Sequence, residues 1–208
     1  KMLEGLPQVT EEEARQAAAS FLDLRPEVFT LTTRSEGNLP AYGFTALVDG
    51  GQLYIQVTCQ GGQILELFTS RTAGTPTISR TDGCEKAADF LRAKGYSHMS
   101  PSYSMEQDGV LSVNFAPVEN GIYCYPDLVK VSVALDTGDI VGFESAGYLT
   151  HHGHRDLPSP AVDAQTAQAA GTDFCAVLNG TTPAAAFVPY PSVHIAPDLP
   201  DLRRWLGL

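Results

Sequence analysis

One segment of this chain occurs twice. VTEEEARQAAASFL begins at Val9 and ISRTDGCEKAADFL at Ile78, so the two copies lie 69 positions apart. Phe21-Leu22 then falls on Phe90-Leu91, and Ala18-Ala19 on Ala87-Ala88. A fainter copy, VDAQTAQAAGTDFC, begins at Val162 and sets Phe174 in the place of Phe21. A repeat of this length is one small structural unit used more than once, each copy needing a neighbour to bury its apolar face.

Each copy opens as a helix. Thr10, Ser79 and Asp163 are cap residues, whose side-chain oxygens accept a free N–H of the first turn. Glu13 follows Thr10 by three and Asp82 follows Ser79 by three, which predicts a capping box in both. Ala14, Ala17, Ala18, Phe21 and Leu22 then recur at helical spacing. So short a helix is marginal alone and must lie on something.

Strands follow. EVFTLTTR, AYGFTALV, QLYIQVTC and GQILELFTS come after the first helix. PSYSMEQ, GVLSVNFAPV, GIYCYP, LVKVSVALD and DIVGFESAGYL come after the second. The connectors are rich in glycine, among them Gln107-Asp108-Gly109 and Glu119-Asn120-Gly121, as hairpins require. Val129, Val131, Val133 and Leu135 share one face of a half-buried antiparallel strand. The expected class is α+β: two tandem units of a helix on an antiparallel meander, and an incomplete third. The expected divisions are 1–75, 76–157 and 158–208. After Cys175 the prolines Pro183, Pro189, Pro191, Pro197 and Pro200 argue against a third meander. At most a short edge strand near Ala185–Val188 and a final helix over Leu199–Leu206 are expected there, with Trp205 anchoring the tail on the second unit.

Composition narrows the function. The net charge is -11 and only 13 residues are Lys or Arg, scattered along the chain, which excludes nucleic-acid binding. No run of 18 apolar residues predicts a membrane span. The sequence starts at Lys1 without a methionine and reads as a fragment, so any anchor would lie upstream of it. Cys59, Cys84, Cys124 and Cys175 stand at no zinc spacing. No catalytic motif is present, so a non-enzyme without cofactor or metal is expected. Cys124 with His151 is one conceivable nucleophile–base pair, but Cys124 sits in an apolar aromatic run.

The densest chemistry is GYLTHHGHRDLPSP, residues 147–160. His151, His152, His154 and Asp156 offer metal ligands, but neighbours in an extended chain point to opposite sides. The segment reads as a solvated linker after a strand that Gly147-Tyr148-Leu149 finish. Pro126 in YCYPDLVKV marks a corner between strands. Tyr123, Tyr125, Asp127, Tyr148, His152 and His154 are the candidate partner-binding residues, because tyrosine offers contact area with a polar tip. A bare sheet edge is a second route to a partner, or to a homodimer.

The stretches LRAKGYSHMSPSY, NFAPVENGIYCYPDLVKV and ALDTGDIVGFESAGYL resemble the YpeB family of spore germination proteins, which carry PepSY-type repeats. VTEEEARQAAASFL and YIQVTCQGGQILELF extend the resemblance over residues 9–160. The resemblance implies an extracytoplasmic, membrane- or spore-associated regulatory module. It would support and control a spore cortex-lytic hydrolase of the SleB type through a sheet edge or the groove between units. The alternatives are a PepSY-type peptidase-inhibitor module and a metal-dependent protein using the His151–Asp156 cluster.

Overall fold

The structure, a computed structural model, describes residues 2–48, 51–153, 155, 175–177 and 194–207. Lys1–Leu157 and Pro158–Leu208 each form a compact unit.

In the first unit both copies of the repeat become the predicted helices, α1 (Glu11–Leu22) and α2 (Arg80–Ala93). Both capping boxes form. Thr10 accepts from the Glu13 N–H and Ser79 from the Asp82 N–H, while the Glu13 and Asp82 carboxylates accept from the cap N–H groups. Bonds from the cap residue, led by the Thr10 N–H for Glu13 and by the Ser79 hydroxyl for Asp82, hold both carboxyls below the ordinary carboxylate range, and their charge also suits the positive end of each helix.

Strands β1 (Thr30–Ser35), β2 (Ala41–Val48), β3 (Gly51–Thr58) and β4 (Ile64–Thr69) follow α1. After α2 come β5 (Met99–Gln107), β6 (Val110–Glu119), β7 (Ile122–Tyr123), β8 (Val129–Ala134) and β9 (Ile140–Glu144). The β5–β6 turn has φ of 50° at Asp108 and 74° at Gly109, and the β6–β7 turn 50° at Asn120 and 78° at Gly121. Two successive positive values are what a tight two-residue hairpin needs.

The meanders share one sheet. Its order is β1-β2-β3-β4-β9-β8-β6-β5, with β7 a short addition to β6. Read inward from either edge, the strands appear in chain order, so the repeats meet last strand to last strand. At that seam Leu67 of β4 stands opposite Phe143 of β9. One face of the sheet is apolar: Phe44, Leu53, Ile55, Val57, Leu67, Leu111, Val113, Phe115, Val129, Val131, Val133 and Phe143 are all buried. Ala14, Ala18, Ala19 and Ala87 are fully enclosed in the same core. Alanine is what allows each helix to lie so close to the strands.

The repeated phenylalanines explain the joining. Phe21 and Phe90 hold equivalent positions in the two copies, and their rings meet edge to face at 5.6 Å. Both contact Phe143, at 5.3 and 6.0 Å. Residues alike in sequence become neighbours because the two halves are related by an approximate two-fold about the seam. The segment between the halves is held by Asp136, which accepts two bonds from Arg71 and one from the Gly74 N–H.

Three expectations need correction. DIVGFESAGYL is not strand to its end: β9 stops at Glu144, and Gly147-Tyr148-Leu149 lie in α3 (Ala146–His151). Buried Ser145 makes the break by donating its hydroxyl to the Ile64 carbonyl at 2.7 Å. Nor is His151-His152 a solvated linker, since His151 ends α3 and His152 caps it. GIYCYP pairs only over β7, after which Tyr125–Asp127 form a 3-10 turn. The corner expected at Pro126 is therefore present.

In the second unit β10 (Cys175–Val177) and β11 (His194–Ala196) pair in parallel, and α4 spans Leu199–Leu206. The final helix agrees with the expectation. The strand pair corrects it: prolines lie between the two strands rather than in them. Trp205 stacks on His194 at 4.9 Å, and His194 Nε2 lies 2.9 Å from Asp201. The third-copy helix from Val162, the strand expected at Ala185–Val188, His154 and Asp156 lie outside the described residues.

Candidate functional site

The corner after β7 holds a buried charge. Asp127 has no exposed side-chain surface. Arg155 grips its carboxylate with two bonds, at 2.5 and 2.6 Å, and His152 Nδ1 reaches it at 2.9 Å. Burial alone would raise the pKa of this carboxyl. The bonds from Arg155 and His152 outweigh burial and hold it below the ordinary carboxylate range. Arg155 is raised in turn, chiefly by its bonds to Asp127.

Two local features allow that approach. Pro126 sets the 3-10 turn that aims Asp127 inward. Gly147 lets α3 touch the turn, since a Cβ there would come within 2.9 Å of the Pro126 carbonyl and 3.2 Å of that of Leu128. Around the corner, Tyr123 and Tyr125 are 43% and 57% exposed, and their rings stack at 6.1 Å.

Tyr148 connects this corner to a groove. Its ring stacks on His152 at 4.2 Å and meets Tyr96 edge-on at 5.1 Å. Tyr96 and Tyr148 wall a groove of about 770 Å³, lined also by the C-terminal ends of α1 and α2, including Phe21, Asp23 and Lys94. Burial pushes the Tyr96 phenol up to about 12 and raises Tyr148, which also feels Asp127. Both therefore stay protonated at neutral pH. The Lys94 ammonium sits over Phe21 at 5.1 Å and Phe90 at 5.9 Å, and lies 3.7 Å from Asp23. It places a cation at the negative ends of two helices.

Five of the six candidate residues from the sequence fall in this region. Asp127, Tyr148 and His152 touch in sequence as a chain of contacts, and Tyr123 and Tyr125 flank them. His154 lies outside the described residues. Cys124 and His151 do not form a dyad: the thiol turns to the Ile122 carbonyl at 3.9 Å, while His151 Nδ1 faces Thr150 and the Gly147 carbonyl. Among the described residues no group of three His, Cys, Asp or Glu side chains could hold a metal ion. Sequence reasoning missed Arg155, Tyr96 and Lys94. Arg155 carried one signal: it stands four residues after His151, whose carbonyl it also binds at 2.9 Å.

A large antiparallel sheet backed by helices on one face, with a groove beside the β4–β9 seam, places the chain in the α+β class. The family model for YpeB sporulation proteins, PepSY1 and PepSY2 domains, matches residues 1–158, and the chain belongs to that family. Sporulation protein YpeB of Halalkalibacterium halodurans is 31% identical over 164 residues, covering 77% of this chain and 36% of the relative. That of Bacillus subtilis is 29% identical over 160 residues, covering 74% and 36%. The chain thus spans about a third of the length of the curated relatives it matches. The solved C-terminal domain of Bacillus megaterium YpeB is similar in fold, with a TM-score of 0.70 and 27% identity, over 78% of this chain and 74% of that one. Among the described residues no helix is long and apolar enough to cross a membrane.

Proposed function

We propose that the chain is a non-enzymatic, extracytoplasmic protein-binding module that supports and controls a spore cortex-lytic hydrolase of the SleB type in sporulation and germination. The observation that carries this reading is the preformed groove at the seam, continuous through Tyr148 with the Asp127 corner and its exposed tyrosine pair. Its size is that of a recognition pocket. Its walls include Phe21, Tyr96 and Tyr148, aromatic residues of the kind favoured at the centre of protein contacts. Its phenols are held protonated and can donate hydrogen bonds to a partner. The relatives are sporulation proteins by name, and the partner is accordingly sought among sporulation enzymes.

The test is co-purification of the whole chain with a SleB-type hydrolase, followed by titration calorimetry. Binding is expected, and Tyr125→Ala or Tyr148→Ala should weaken it about tenfold or more, as loss of a central aromatic contact does. Failure of the unaltered chain to bind, with no effect on the hydrolase's lifetime or activity, overturns the reading.

A further inference from the structure

The helices cover one face of the sheet, and alternate residues point to the other. At the seam these are Tyr54 and Gln56 of β3, Glu66 and Phe68 of β4, and Gly142 and Glu144 of β9. The register sets them in two rows. Tyr54 is opposite Phe68 and Phe68 opposite Gly142; Gln56 is opposite Glu66, Glu66 opposite Glu144, and Glu144 opposite Lys130.

The aromatic row is held in place. The Tyr54 hydroxyl lies 2.9 Å from Thr33 Oγ1 and accepts from Gln56 Nε2 at 2.7 Å. It rests on Gly43, where a Cβ would come within 2.5 Å of it. Phe68 lies 5.1 Å from the Tyr54 ring and is 52% exposed. On its other side stands Gly142, so β9 puts no side chain on that flank of the ring, and the next side chain across is Ser132 of β8.

The acidic row is frustrated. Like charges directly opposite one another repel. Lys130 reaches Glu144 at 2.8 Å and answers one of the two carboxylates. Burial and the Glu144 charge raise the pKa of Glu66. A half-exposed ring, beside two adjacent carboxylates of which Lys130 answers the outer one, is complementary to a flat cation that stacks and donates at once. That is a guanidinium.

We propose that the sheet face at the β3–β4–β9 seam, which no described helix covers, is a docking site for an arginine presented by a protein partner, the guanidinium stacking on Phe68 beside Gly142 and donating to Glu66 and Glu144. This rests on the reading of the chain as a protein-binding module, but it lies on the opposite face of the sheet from the groove.

The test uses the whole chain and a small probe, Nα-acetyl-arginine methylamide, with amide chemical shifts as the readout. Nα-acetyl-citrulline methylamide has the same shape without the charge. The arginine probe should give saturable shifts at Glu66, Phe68 and Gly142, with a dissociation constant in the millimolar range. Citrulline should bind at least about fivefold more weakly, and Phe68→Ala or Glu66→Gln should weaken the arginine probe about as much. Equal responses to both probes, shifts confined to other places, or indifference to both substitutions overturns the site. Hydrolase binding without arginine binding overturns this inference and leaves the proposed function standing; the reverse result does the opposite.

Discussion

At the scale of single residues, Asp127 is a fully buried charge held by two partners. A buried carboxylate is tolerated only when its charge is answered, and here Arg155 and His152 both answer it. Removing the carboxylate strands the cation instead of merely deleting a bond. Asp127→Ala should therefore lower stability by roughly 3 kcal/mol in urea unfolding at pH 7. The pH dependence has a definite sign. A carboxyl whose pKa is lowered by folding stabilises fully above its unfolded value, near pH 3.9. That contribution is lost as pH falls through the folded value. The gap between the native chain and Asp127→Asn should thus be constant from about pH 7 to 5 and shrink below about pH 4. A gap unchanged down to pH 2 would show that the carboxylate is not held as described. Asp127 could be singled out from sequence because it follows a proline inside a strand run. Arg155 could not, since its partner lies 28 residues away and is set by the turn.

At the scale of elements, α3 shows how tertiary contact overrides local pattern. DIVGFESAGYL alternates well enough to read as strand, yet its second half coils. Ser145 anchors the break, and Gly147 decides how close the new helix comes to the Tyr125–Asp127 turn. Inside an isolated helix, alanine is about 1 kcal/mol better than glycine. At position 147 the added Cβ meets backbone carbonyls at 2.9 and 3.2 Å, which cannot swing aside as a side chain can. Gly147→Ala should thus destabilise by about 1–3 kcal/mol, the usual cost of overpacking, with thermal unfolding followed by circular dichroism as the measure. A stabilised variant would mean that propensity outweighs the contact. The helices α1 and α2 were far more legible. Their caps and apolar spacing are local, and both capping boxes form where the sequence places them.

At the scale of the whole molecule, the sequence repeat becomes one sheet instead of two separate ones. Phe143 is the residue on which both halves converge, touching Phe21, Phe90 and Tyr96. Phe143→Ala should cost about 3–5 kcal/mol. Because the halves share that core, the loss should appear in both: amide exchange should speed up alike in β2–β3 and in β6–β8. Retained protection in one half, with loss in the other, would show that the repeats unfold independently. The groove and the sheet face opposite it each draw on both repeats, so neither surface exists in one copy alone.

The sequence by itself determined the repeat, the helices with their caps, the tight turns, the inward stripes of the strands and the family, because each of these depends on residues near one another in the chain. The tertiary structure alone decided that the two meanders join at β4 and β9. It also decided that Phe21 and Phe90 meet, that α3 coils against the Asp127 turn, and that Arg155 completes a buried charge cluster. Those outcomes depend on contacts across dozens of residues, where a side chain's partner is chosen by packing and by the cost of leaving a charge unpaired, and no local pattern carries that information.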